Sequence, residues 1–79
     1  MLVLYMLTRG TADPTDASVP VHLAVNGTLE VGDQPNVVLA GDATEYLVGD
    51  AIEKAEGVGV PPMRELVAKL REHEVPVYV

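Results

Sequence analysis

The stretch MLVLYMLT, Met1 to Thr8, decides the fold. Every residue up to Leu7 is apolar, and Val3 and Tyr5 favour strands. The run is too short for a buried helix and does not alternate like a half-exposed strand. It fits a strand buried on both faces, as in a parallel sheet. Arg9-Gly10-Thr11 breaks it. Asp13-Pro14-Thr15-Asp16 then reads as a helix start: Asp13 can cap, Pro14 fits the first helical position, and Asp16 lies near the positive dipole end.

Working outward, the first helix is predicted to run to about Val31, with Gly32 past its end as a stop. Pro20 inside it forfeits the bond to the Asp16 carbonyl. Ser18, His22, Asn26 and Glu30 recur every four residues and make one narrow polar stripe. Val19, Val21, Leu23, Val25 and other apolar residues cover most of the rest. A helix so widely apolar is buried on more than one side, and the second side is expected to be another subunit.

Pro35–Ala40 reads as the second strand. Asp42 followed by Glu45 resembles a capping box opening a second helix. Leu47, Val48, Ala51, Ile52 and Ala55 share one face of it, and Gly49 weakens it. Glu56–Val60 is a loop, and Pro61-Pro62 opens a third helix. Met63, Leu66, Val67 and Leu70 form its buried stripe, with Glu65 and Lys69 as an outer i, i+4 pair. Pro76 forces Val75 out of the helical region, and Val77-Tyr78-Val79 is the third strand. The order is β-α-β-α-α-β. Right-handed crossovers make the sheet parallel, and the apolar first run is expected to be its central strand, giving strand order 2-1-3 in a flavodoxin-like α/β sandwich.

The 79 residues make one domain, 1–79, with no internal repeat. A chain this short needs a staple, and disulfides are excluded because it has no cysteine. Two histidines offer no metal cluster. Oligomerisation remains, and a 48% apolar content supports it. The formal charge of −7, with five scattered basic residues, argues against nucleic acid. No apolar run approaches the roughly 20 residues of a membrane span, and no basic segment opens a signal peptide. A cytoplasmic protein is expected.

Ligands of parallel α/β sheets sit beyond the carboxyl ends of the strands, where the strand order reverses. Those ends are Thr8-Arg9-Gly10-Thr11 and Ala40-Gly41-Asp42-Ala43, so Thr8, Arg9, Gly10, Gly41 and Asp42 are the candidate ligand-binding residues. A hydroxyl, a cation and a glycine near a helix start can hold a small anion; an ordinary turn has the same composition. Arg9 can instead pair with Asp13 or Asp16, and Asp42 can be an acid–base group or a helix cap. Val19, His22, Leu23, Asn26, Val77 and Tyr78 are the candidate interface residues. His22 can alternatively serve proton transfer. Gly57-Val58-Gly59 lacks dinucleotide-binding spacing, and no phosphate loop, zinc-protease or nucleophile-elbow motif is present. No catalytic residue, metal ligand or cofactor follows from the residues.

HLAVNG (His22–Gly27), VVLAGDAT (Val37–Thr44), EGVGVPPMREL (Glu56–Leu66) and VPVYV (Val75–Val79) together resemble the DsrE/DsrF-like sulfur-relay family, of the YchN-like fold, in its branch of small DsrE-like proteins. The resemblance covers nearly the whole chain in order. It implies a three-layer flavodoxin-like sandwich, homo-oligomers such as trimers or hexamers, and sulfur-relay protein partners. It also implies a persulfide carried on a cysteine, in a segment that follows the strand matching Val75–Val79. The chain stops before that segment, so either a longer protein or a shortened one is expected. Persulfide transfer needs a thiolate, which these residues lack. The expected role is therefore a scaffold or partner-binding unit; the alternatives are an anion- or small-molecule-binding module and a purely structural oligomer subunit.

Overall fold

A computed structural model describes all 79 residues. Strand β1 (Leu2–Leu7) leads to helix α1 (Pro14–Leu23), which continues as a π-helical turn (Ala24–Thr28). Strand β2 (Gln34–Leu39) is followed by a 3₁₀ segment (Gly41–Leu47), helix α2 (Ala51–Lys54), helix α3 (Met63–Glu72) and strand β3 (Val77–Tyr78). The sheet is parallel throughout.

The strand order is 1-2-3, not 2-1-3. β2 is central; β1 lies at an edge along its whole length. The physical consequence is large. When three parallel strands are laid down in one direction, right-handed crossovers carry both connections over the same face. The helices accordingly cover one side of the sheet. Leu7, Val37 and Leu39 on that side join Ala17, Val21, Val25, Met63, Leu66 and Leu70 in one core. On the other side Leu4, Met6 and Tyr78 stay 61%, 55% and 54% exposed. The chain forms two layers, not the three that were expected. The continuous apolar run of β1 therefore marks a second face lacking a cover, not a central position.

Pro35 shows how β2 can be central and still hold a proline. Its neighbour Gln34 donates to the Met1 carbonyl, so the Pro35 nitrogen faces the β3 side. Pairing with β3 begins only at Val37, whose N–H donates to Pro76. No ladder bond is lost. Asn36, one residue on, faces the open side, and its buried Oδ1 accepts no hydrogen bond.

Asp13 caps α1 as predicted, accepting from the Asp16 N–H at 3.2 Å. The polar stripe faces solvent only at its far end: Glu30 is exposed, and His22 and Asn26 are half-buried. Ser18 is fully buried, with its hydroxyl donating to the Pro14 carbonyl at 2.6 Å. The helical path ends in turns at Gly32, whose φ of +82° suits glycine. Tyr5 and Thr28 join their hydroxyls at 2.6 Å and tie β1 to the π-helical turn.

The second helix is broken. Gly49, at φ +57°, separates the 3₁₀ segment from α2, and Val48 beside it is exposed. α3 follows its stripe: Met63, Leu66 and Leu70 are buried and Val67 half-buried. The GVGVPP loop is docked on α1. The Val58 N–H donates to Thr15 Oγ1 at 2.9 Å, and a side chain at Gly57 would come within 2.8 Å of the Thr15 Cα.

Candidate functional site

Neighbouring parallel strands place the βα loops of β1 and β2 side by side. Thr8, Arg9, Gly10, Gly41 and Asp42 therefore do come together at one end of the sheet. What is missing is the crevice. It forms where adjacent strands send their connections to opposite faces, and here both go to the same face.

The loops pack directly on one another. A side chain at Gly10 would overlap the Glu45 carboxylate and come within 2.6 Å of the Asp42 carbonyl oxygen. Glu45 Oε1 accepts from the Thr11 N–H at 2.9 Å and from the Thr11 hydroxyl at 3.3 Å. The free amide that could hold an external anion thus holds the protein's own carboxylate. Behind it the buried Tyr46 hydroxyl donates to the Gly10 carbonyl at 3.0 Å, and the Asp13 N–H shares that oxygen at 3.1 Å. Burial, then the charges of Glu45 and Asp13, push the Tyr46 phenol above its ordinary value of 10.0.

One sequence expectation at this end fails because Glu45 reaches across to Thr11 and not back to the start of its own segment. The Asp42–Glu45 capping box is not formed; the 3₁₀ segment begins after Ala40 with no side-chain cap. Asp42 is exposed. Gly41 is left-handed at φ +56°, and its carbonyl accepts from Thr44. Thr8 and Arg9 are exposed, and Arg9 pairs with neither Asp13 nor Asp16.

The six candidate interface residues do not form one surface. Val19 and Leu23 lie four apart on α1, both exposed. His22 and Asn26 turn toward α3 instead. Asn26 Nδ2 lies 2.9 Å from His22 Nδ1, and Lys69 Nζ donates to Asn26 Oδ1 at 2.6 Å. Lys69 thereby leaves Glu65, and the expected helical pair is absent. With the amide donating, His22 carries its proton on Nε2. Val77 and Tyr78 point to opposite faces of β3.

No group of three or more potential metal ligands is present. No helix is long and apolar enough to cross a membrane. The least conventional feature is the open sheet face. Leu2, Leu4 and Met6 of β1 stand beside Val38 of β2 and Tyr78 of β3, in register Met6–Val38–Tyr78. Its sequence signal is the unalternating run of β1. No family model, curated protein or solved structure matches the chain.

Proposed function

We propose that this chain is a cytoplasmic DsrE-like scaffold unit that works by association, with copies of itself first and with sulfur-relay partners beyond them, and not by catalysis. The observation that carries association is the open sheet face. Parallel sheets are stable when covered on both sides. Here one side leaves Leu2, Leu4, Met6 and Tyr78 more than half exposed. β1 and β2 run six residues each but β3 only two, so the footprint is roughly 220 Å². Such a patch is smaller than the largest that monomers leave open, about 300–600 Å². It falls short of the about 800 Å² per partner in a standard interface. The unpaired outer edge of β1 and the Val19–Leu23 surface supply additional contact, and two separate surfaces allow assemblies larger than a dimer.

The link to sulfur relay comes from the resemblance of the HLAVNG, VVLAGDAT, EGVGVPPMREL and VPVYV segments. These 79 residues contain no thiol, so the contribution is structural. The anion-binding alternative is disfavoured because Glu45 already occupies the Thr11 amide.

Sedimentation velocity across a wide concentration range tests the reading. The expected result is reversible association, lost in Met6→Glu. The substituted residue is 55% exposed, so the fold of the single chain survives. A wild-type chain that stays a folded monomer throughout would overturn the proposal.

A further inference from the structure

The outer edge of β1 is bare. A strand in a parallel pair directs the N–H and carbonyl of every second residue to its neighbour and those of the alternate residues away from it. Gln34 donates to the Met1 carbonyl and Ala40 to the Leu7 carbonyl, so the odd-numbered residues bond to β2. The backbone groups of Leu2, Leu4 and Met6 therefore point out from the sheet edge. Natural edge strands are guarded by a charge, a proline, a bulge or brevity. β1 has none of these guards: LVLYML carries no charged residue and no proline, and its six residues pair with β2 without a bulge. The opposite edge, β3, is only two residues long.

We propose that β1 pairs antiparallel with β1 of a second copy about a two-fold axis at Leu4, joining two three-stranded sheets into one continuous sheet. The strand is its own complement in this register. Leu4 faces Leu4, and Leu2 faces Met6 of the second copy. All of these residues have free backbone groups, so each facing pair exchanges both of its N–H to carbonyl bonds. Moving the axis to Val3 or to Tyr5 leaves one of the three residues without a partner inside the strand. On the covered side Val3 faces Tyr5 of the second copy. Both are half-buried in the single chain, and a β-branched residue opposite an aromatic one is a favourable cross-strand pair. None of the formal charge of −7 lies in the paired strands, so no like charges meet there. The axis stands perpendicular to the sheet, which puts both open faces on the same side. They merge into one of roughly 440 Å², twice the single footprint. Pairing uses both β1 edges and leaves only the short β3 edges, so it closes at two copies. The inference rests on the self-association proposed above and gives it a partner strand and a register.

The chain has no cysteine, so one introduced thiol reports on one position. Leu4→Cys, at an exposed position, should give a disulfide-linked dimer with oxidised glutathione. Facing Cα atoms of a hydrogen-bonded pair lie about 5.5 Å apart, within disulfide reach. Leu2→Cys alone and Met6→Cys alone should cross-link at least about tenfold more slowly, because like residues then lie roughly 14 Å apart along the strand. Mixed together, those two variants should cross-link as readily as Leu4→Cys. Amide hydrogen exchange on the wild-type chain decides the matter without any substitution. The Leu2, Leu4 and Met6 amides should exchange freely at low concentration and slow together as the chain associates. Fast exchange at all three amides in a chain that sediments as an oligomer would overturn edge pairing while leaving association through the open face intact. Met6→Cys cross-linking as fast as Leu4→Cys would overturn the register. A chain that stays a monomer at every concentration would overturn edge pairing and the association beneath it together.

Discussion

Replacing Gly10 with alanine sets two opposed effects against each other. Gly10 does not have positive φ, so alanine is allowed by the backbone. A substitution of that kind in open space stabilises by about 0.4–1 kcal/mol through the unfolded chain. Space is what Gly10 lacks. The added methyl would sit 2.6 Å from the Asp42 carbonyl oxygen and 3.0 Å from the Asp42 Cβ, besides overlapping the Glu45 carboxylate. Glu45 is a flexible side chain and can move away; the Asp42 carbonyl is backbone and cannot do so alone. The two βα loops must part, and the Tyr46–Gly10 and Thr11–Glu45 bonds are strained with them. Overpacking of this kind costs about 1–3 kcal/mol. The clash exceeds the entropic gain, so Gly10→Ala should be net destabilising by about 1–2 kcal/mol. In a domain this small each kcal/mol lowers Tm by about 4–8 °C. Gly27→Ala is the matched control, because nothing lies within 4 Å of its added methyl and its φ is not positive. It should raise stability by about 0.5–1 kcal/mol. Urea and thermal unfolding followed by far-ultraviolet circular dichroism measure both, at a fixed concentration because association is linked to stability. The loop-contact reasoning is refuted if Gly10→Ala matches or exceeds wild-type stability. It is refuted equally if adding Glu45→Ala removes the defect, since the backbone contact would then be irrelevant.

Leu66, 1% exposed between α3 and the rest of the core, should cost about 2–5 kcal/mol on truncation to alanine, enough to unfold much of the population in a urea titration. Tyr46 gives a pH signature. Its folded-state value is raised, so its contribution is fully present below pH 10.0 and drains away as pH climbs from there through the higher folded value. Tyr46→Phe should lose about 1 kcal/mol at neutral pH, and its gap to wild type should narrow above pH 10.0 in parallel denaturation curves. Incubation with a persulfide donor should leave the mass of the intact chain unchanged; a reductant-sensitive gain of one sulfur atom would sink the thiol argument.

The elements that were legible in the sequence are those with strong local periodicity. The Met63, Leu66, Val67, Leu70 stripe and the Asp13 cap appear where the residues placed them, whereas the first helix, expected to run to about Val31, gives way to a π-helical turn that ends at Thr28. Strand order was not legible, because an apolar run on both faces of β1 has two meanings. It marks either a central strand or an edge strand whose second face awaits a cover. The β2–β3 pairing that decides between them spans only two residues. At the loop end of the sheet, the residues named from sequence do meet. The group that fills the site, Glu45, was hidden because its partner Thr11 lies 34 residues away and a local capping box explained it equally well. Lys69 was hidden in the same manner, drawn from Glu65 to Asn26 across 43 residues.

Whether the open sheet face is covered in solution can be read at the Met6 methyl group. Paramagnetic relaxation by a soluble gadolinium chelate reports how closely solvent approaches each methyl. At concentrations where the chain associates, the methyls of Leu4 and Met6 should be protected, and dilution should expose them again, while the exposed Val58 in the α2–α3 loop stays accessible throughout. Leu4 and Met6 relaxing as fast as Val58 at every concentration would contradict association through this face.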